Sequence, residues 1–322
     1  MMDPRTSLLR AGRWHLWEPL LWLAAFAMPM LVPGHSLLVS EIAIVALFAL
    51  SLDLILGYTG IVSLGHAAFF GIGAYAAALF AKMVMPDPLV GLLVAMGVAT
   101  ALGAVCSLTI MRGSDLTRLM VTLGVALILL ELANKLDWLT GGADGLQGVI
   151  MGPVLGRFEF DLTGRTAAYY ALVVCLLFFL LMRRLVASPF GATLMAIRDN
   201  RLRAMAIGIP VHARLAVIYT VAAGVAGVAG GLLAQTTGFA SLDLFALDRS
   251  ADLMLMLVIG GTGWLWGGIA GAIVFKLMHN VISSITPQYW TFWIGLFLVV
   301  LVVVGRDRLL RPWTWWGKGR AS

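Results

Sequence analysis

The chain has 322 residues, of which 61% are hydrophobic and 12% charged, with a net charge of +6. Soluble domains carry about 25% charged residues, so a soluble enzyme or a soluble binding module is excluded. Apolar runs of about 20 residues recur from Trp17 to Gly305, the pattern of an all-helical, polytopic membrane protein.

Apolar segments fall at 17–34, 38–56, 66–84, 88–110, 116–136, 167–186, 212–236, 249–261, 266–284 and 288–305. Ten crossings would place both termini on one side. The first run follows Arg5, Arg10 and Arg13 and contains Ala25-Phe-Ala27, imitating a secretory signal. Further spans follow at once, so it reads as an uncleaved first span. No polar linker divides the chain, which reads as one membrane domain over 17–305 between cytoplasmic tails 1–16 and 306–322.

The basic residues set the orientation. Arg5, Arg10, Arg13, Arg112, Arg118, Arg183, Arg184, Arg198, Arg201, Arg203, Arg214, Arg306, Arg308, Arg311, Lys318 and Arg320 fall on one side. Lys82, Lys135, Arg157, Arg165 and Arg249 fall on the other, and Lys276 lies within a span. The positive-inside rule then gives N-in and C-in, with Trp313, Trp315 and Trp316 as an interfacial anchor. The positive charge is accounted for by the membrane, and no nucleic-acid partner is expected. Cys106 and Cys175 sit in apolar spans without metal or redox spacing and read as buried thiols.

The most informative stretch is Leu56–Tyr75, where Gly57, Gly60, Gly65, Gly71 and Gly73 interrupt an apolar run and Tyr58, Thr59, Ser63 and His66 are interleaved. Two readings fit. A helix broken at membrane depth is tolerated where protein or a water-filled cavity covers it, as in transporters; alternatively, the glycines let helices approach closely. Ile259–Gly271 is a second glycine-broken stretch. It pairs with the first in the manner of two related halves around a site, while Gly227/Gly231 and Gly267/Gly271 also have close-packing spacing. Segment 249–261 is short for a ~30 Å core and either spans or re-enters.

Residues 137–165 form the longest loop on the outside, either a small lid or an ordinary connection. On the inside, Ser188–Pro210 reads as a capped amphipathic helix, started by Ser188 and Pro189 and ended by Gly208 and Pro210. Leu194, Ile197 and Leu202 would form one face and Arg198, Arg201 and Arg203 the other. Such a helix lies on lipid or docks into a partner groove.

Ionisable residues inside spans mark functional or paired positions. Glu41 can reach water, Asp53 can orient the break, and Lys276, with His279 one turn on, can pair with Glu131. Free N–H groups at Ser63, Gly65 and His66 would favour a carboxylate, whereas His66 alternatively bonds a carbonyl freed by the break. The chain has no phosphate-binding loop, no nucleophile elbow and no zinc-binding helix motif, so neither catalytic chemistry nor a metal is expected. An ion-coupled carrier would need paired acids at mid-depth, where only Asp53 comes close. A membrane-embedded enzyme or a flippase would need a His/Asp/Glu cluster near one interface.

Gly57-Tyr58, Gly60, Ser63–Tyr75 and Ile259–Gly263 resemble the signature of branched-chain amino acid ABC transporter permeases, within that family the LivM-type subunit. The resemblance runs from about residue 40 to 300. It implies an inner-membrane permease paired with a second, LivH-type permease, served by two ATP-binding subunits that hydrolyse ATP and by a periplasmic substrate-binding protein. The chain itself would bind no cofactor. The solutes implied are leucine, isoleucine or valine, with urea, short amides or aromatic carboxylates in relatives. The broken stretch offers Asp53, Tyr58, Thr59, Ser63, Gly65 and His66 as candidate pathway residues. Ser188–Gly191, Ala196–Asn200 and Ala204, Ala206, Gly208 and Ile209 resemble the coupling loop. That implies ATPase contacts through Phe190, Gly191, Ile197, Arg198, Asp199, Asn200, Arg201, Arg203 and Gly208. Arg201 and Met205 stand where relatives usually have glutamates.

Overall fold

The structure is a computed structural model that describes residues 17–110, 115–161 and 163–304. The terminal tails, Arg112 and the tryptophan anchor at Trp313, Trp315 and Trp316 lie outside the described residues. Thirteen α-helices and no β-strand occur among the described residues. They are α1 (Trp17–Leu31), α2 (Ser36–Thr59), α3 (His66–Met83), α4 (Pro88–Ile110), α5 (Asp115–Lys135) and α6 (Asp137–Thr140). Then follow α7 (Arg165–Val186), α8 (Pro189–Asp199), α9 (Arg201–Ala206), α10 (Val211–Thr237), α11 (Leu247–Gly260), α12 (Leu265–Ile285) and α13 (Trp290–Val304).

Seven helices are long and apolar enough to cross a membrane: α2, α3, α4, α5, α7, α10 and α12. At 15, 14 and 15 residues, α1, α11 and α13 are shorter. With ~1.5 Å per residue, α11 covers about 21 Å, less than the hydrocarbon thickness. The run 17–34 is helical only to Leu31; Pro33–His35 then form a single 3₁₀ turn before α2.

α10 is the hub. It packs on α2, α3 and α4, and α2 packs in turn on α7 and α12. A helix surrounded in this way is mostly buried, so its inner surface must be small enough for backbones to meet. Gly227 does this: a Cβ on the facing Gly73 of α3 would collide with its backbone. Gly224 and Gly231 bring α4 close on the other side, against Thr100 and Ala95. α11 and α12 form a hairpin on the same principle, with Gly271 against the Met256 backbone. The close-packing reading thus holds for Gly227/Gly231 and Gly267/Gly271. The outer surfaces of α4, α5 and α7 expose apolar residues such as Leu93, Val98, Ile128 and Leu177.

The bundle has two dissimilar ends. At one end, residues 137–164 pack on the α3–α4 and α10–α11 connections, through Gly152 N–H to Pro86 O (2.7 Å) and Leu146 N–H to Ala240 O (2.8 Å). Beneath them Gln235 ties α10 to α4 and α7, donating to Pro88 O (2.8 Å) and accepting from the Tyr170 hydroxyl (2.9 Å). At the other end lie the connection 60–65, helices α8 and α9, and the turn 261–264.

Replacing Gly73 with Ala forces α3 away from the α10 backbone, an overpacking that costs about 1–3 kcal/mol. The expected outcome is a lower thermal unfolding temperature in detergent; unchanged unfolding would contradict the contact.

Candidate functional site

The first glycine-rich stretch is a true helix break. Gly60, at φ 74°, ends α2 in the left-handed conformation that glycine adopts freely; its N–H reaches the Leu56 carbonyl (3.1 Å) and the Ile61 N–H the Ile55 carbonyl (3.3 Å). Residues 60–65 are non-helical, and α3 begins at His66. The Nε2 of His66 lies 2.8 Å from the Ser51 hydroxyl, and Ser51 is eight residues before Thr59, about 12 Å along the helix. The connection therefore climbs back beside the last two turns of α2, and α3 starts well inside the bundle. Protein covers it: Tyr58, Thr59, Ser63, Gly65 and His66 are buried, while Gly60 and Val62 are exposed.

Two groups released at the start of α3 have partners, the Ala68 N–H on Gly65 O (3.1 Å) being one. Ala67 N–H donates to Ser250 Oγ in the first turn of α11 (3.0 Å). Gly65 lies against the Thr122 carbonyl of α5, so closely that a Cβ would collide. Ser51 gives its proton to Phe48 O (2.6 Å), so the His66 Nε2–H is the donor to Ser51 Oγ. This corrects the expected bond from His66 to a freed backbone carbonyl: the partner is a hydroxyl, because the chain rises past Ser51 before the helix begins. The ring stacks on Phe48 at 5.8 Å. Ser63 Oγ has no well-aligned partner, although the Tyr219 hydroxyl of α10 lies beside it.

The second break meets the first. The Asp53 carboxylate, fully buried, accepts the Gly263 N–H through Oδ1 at 2.8 Å. Gly57 sits between them, where a Cβ would collide with both the carboxylate and the Gly263 nitrogen. The Tyr58 hydroxyl lies beside the backbone N–H of Leu265, the first residue of α12. One turn and a half of α2 therefore holds the start of α12 and the end of α11 together. Asp53 does orient a break, but the later one at 261–264.

A third element joins from the side. Ser188 Oγ accepts the Gly191 N–H and starts α8 behind Pro189, and Leu194 and Ile197 are buried. The segment 188–210 is not one helix. Asn200 breaks it, ending α8 in an extended conformation and capping α9 through Oδ1 to Arg203 N–H (2.9 Å). An asparagine side chain competes for the backbone in this way, which the apolar spacing alone did not reveal. The break sends Leu202 outward, 76% exposed, away from the face it was expected to share with Leu194 and Ile197. Gly208, at φ 87°, then closes α9, with Ile209 N–H on Ala204 O (3.1 Å).

Arg198, at the end of α8, donates from Nη1 to Gly57 O, and a Cβ on Gly263 would sit 2.7 Å from the same nitrogen. Its guanidinium thus lies over both breaks, with Asp53 as the nearby opposite charge. Of the other expected coupling residues, Asp199, Asn200, Arg203 and Gly208 are exposed, and Gly191 is buried. Phe190 packs under Arg214, whose guanidinium carbon is 5.1 Å from the ring centre, while Arg201 reaches His212 at 3.3 Å.

The charged pairing inside the spans differs from expectation. Lys276 pairs with Glu41 at 3.0 Å, and Glu131 pairs with Lys135 on its own helix at 3.6 Å. α12 packs on α2 and brings Lys276 to it, whereas Glu131 sits one turn before the end of α5 and takes its i+4 neighbour. Beside α2, an apolar groove of about 530 Å³ runs along α1 and α12 past Trp22, Ile42 and Trp266. It touches none of Asp53, Tyr58, Thr59, Ser63, Gly65 or His66. Cys106 and Cys175 are both buried and free.

Comparison with known proteins gives a consistent result. A family model described as "Branched-chain amino acid transport system / permease component" matches residues 36–304. The chain is 26% identical over 322 residues to the high-affinity branched-chain amino acid transport system permease protein LivM of Escherichia coli (strain K12), covering 91% of this chain and 74% of the relative. The probable branched-chain amino acid transport permease protein LivM of Methanocaldococcus jannaschii is 23% identical over 304 residues, covering 80% and 86%. The fructose import permease protein FruG of Bifidobacterium longum is 27% identical over 157 residues, covering 47% and 45%. No solved structure matches the chain.

Asp53→Ala leaves the part-buried Gly263 N–H without its acceptor, a loss of about 1–3 kcal/mol. Asp53→Asn keeps an acceptor oxygen and is expected to lose less. Thermal unfolding of both variants checks this; equal loss in the two would contradict the bond.

Proposed function

The chain belongs to the family of branched-chain amino acid transport system permease components, and we propose that it is one permease subunit of an ATP-driven importer for leucine, isoleucine and valine in the bacterial inner membrane. The solute class follows that of the Escherichia coli and Methanocaldococcus jannaschii relatives, both branched-chain amino acid permeases by name. The observation that carries the reading is the family match across residues 36–304, nearly the whole membrane domain.

In this reading α1, α11 and α13 join the seven long helices to make about ten crossings, N-in and C-in. The end holding α8 and α9 is then cytoplasmic and the 137–165 loop periplasmic, where it meets the delivering binding protein. The chain carries no phosphate-binding loop, so two separate ATP-binding subunits hydrolyse ATP, and this chain holds no cofactor. A second, LivH-type permease completes the route.

α8 and α9 are the coupling element. Their outward surface presents Asp199, Asn200 and Arg203 between exposed apolar residues, Leu202 (76%), Ile207 (69%) and Met205 (43%), a combination suited to a groove on a protein partner. Phe190, Gly191 and Ile197 fix the fold of α8, Gly208 closes α9, and Arg201 stands on the flank. Arg198 carries the motion inward. When the ATPase moves α8, the guanidinium on Gly57 O pulls the end of α2, and Asp53 and Tyr58 transmit the pull to the start of α12. Ser63, Gly65, His66 and Thr59 shape the first broken segment so that it shifts as a unit.

A charge-assisted hydrogen bond is worth about 1.5–3 kcal/mol, a factor of about ten or more. Arg198→Ala in the reconstituted complex should therefore lower ATP-driven leucine uptake about tenfold or more while ATP hydrolysis persists. Uptake that proceeds without ATP and is abolished by an ionophore would assign the chain to ion-coupled carriers instead.

A further inference from the structure

Several charges of α2, α11 and α12 collect on one face. Glu41 is the sixth residue of α2, Lys276 the twelfth of α12 and Asp252 the sixth of α11. Lys276 Nζ and Glu41 Oε2 are 3.0 Å apart, with side chains 19% and 46% exposed. Asp252 feels both Lys276 and Arg249, and His279 feels Lys276, Glu41 and Arg249. Asp248 and Arg249, in the first turn of α11, are exposed beside them. Three helices thus bring five charged residues, two of them an ion pair, and a histidine to one half-exposed face.

Two features separate this face from the rest of the surface. The middles of α4, α5 and α7 expose apolar residues such as Leu93, Ile128 and Leu177, as a lipid contact requires. A half-exposed ion pair in hydrocarbon is costly, and such groups face a cavity, water or one another. The face also adjoins the point where α11 and α3 begin together, joined by Ala67 N–H to Ser250 Oγ at 3.0 Å. Two helix N-termini starting side by side inside the bundle place their positive dipole ends there.

We propose that this face, formed by Glu41, Lys276 and Asp252 on α2, α12 and α11, is the wetted wall of the solute route, offering fixed opposite charges to a solute that carries both, an α-amino-acid zwitterion. Lys276 receives the carboxylate, and Glu41 and Asp252 receive the ammonium. The proposal rests on the importer reading, and it names the part of this chain that the solute touches.

The test uses the full reconstituted complex. The two native cysteines are buried, which leaves a low background for a membrane-impermeant methanethiosulfonate reagent. Glu41→Cys and Asp252→Cys should react at rates typical of aqueous sites, while Ile128→Cys on the apolar face of α5, 67% exposed, stays unreactive. The charge-balanced pair Glu41→Gln with Lys276→Met should raise the KM for ATP-driven L-leucine uptake about tenfold or more, with ATP hydrolysis retained. Reactivity at 41 and 252 as slow as at 128 overturns the wetted wall, and normal reactivity with an unchanged KM overturns the solute contact. A wild-type complex that moves no leucine with ATP sinks the importer reading instead, while the labelling still decides whether the face is wet.

Discussion

Two helices are interrupted, and each backbone group released where protein covers the break needs a partner that water cannot supply. That requirement organises the rest. The Gly263 N–H takes the Asp53 carboxylate, the Gly57 carbonyl takes the Arg198 guanidinium, and the Ala67 N–H takes the Ser250 hydroxyl. Each partner comes from a different element than the break it serves. Pairing the freed groups therefore stitches α2, α3, α8, α11 and α12 together at sites where none of them is continuous.

The stitching explains the glycines. A side chain at Gly57 would displace the Asp53 carboxylate from Gly263, and one at Gly73 would push α3 off α10. The first kind of glycine makes room for a polar bond and the second for close packing; both kinds occur within one stretch of sequence, which is why composition alone fits either. It also explains why α8 is more than a surface helix. Leu194 and Ile197 seat it, Asn200 turns the chain away, and Arg198 is left reaching from the surface to the two breaks. The element is thus exposed on one side, while on the other its guanidinium is bonded to Gly57 and lies close to Gly263.

Much of this was legible in the sequence. Helix positions followed largely from apolar runs, and the glycine-rich stretches 56–75 and 259–271 marked where a break or a close helix contact would fall; the breaks themselves are at 60–65 and 261–264. Ser188, Pro189 and Gly208 announced the start and end of the surface element. What stayed hidden were the partners, because they depend on which helices meet. Nothing in the spacing of Ser51 and His66, or of Ser250 and Ala67, marks them as neighbours. Lys276 was matched to Glu131, and it pairs with Glu41 because α12 packs on α2. Asp53 stood four residues before Gly57, yet its bond runs 210 residues along the chain to Gly263.

The central claim is that a buried carboxylate and a surface guanidinium hold two helix breaks as one unit. Hydrogen exchange of the backbone amides at 261–265 measures it most directly, in the reconstituted complex, for wild type and Asp53→Ala. The account predicts slow exchange in the wild type and exchange faster by about tenfold or more in the variant, with the α10 amides unchanged. Equally fast exchange in both would mean that the Gly263 amide has no such partner, and that the two breaks move independently.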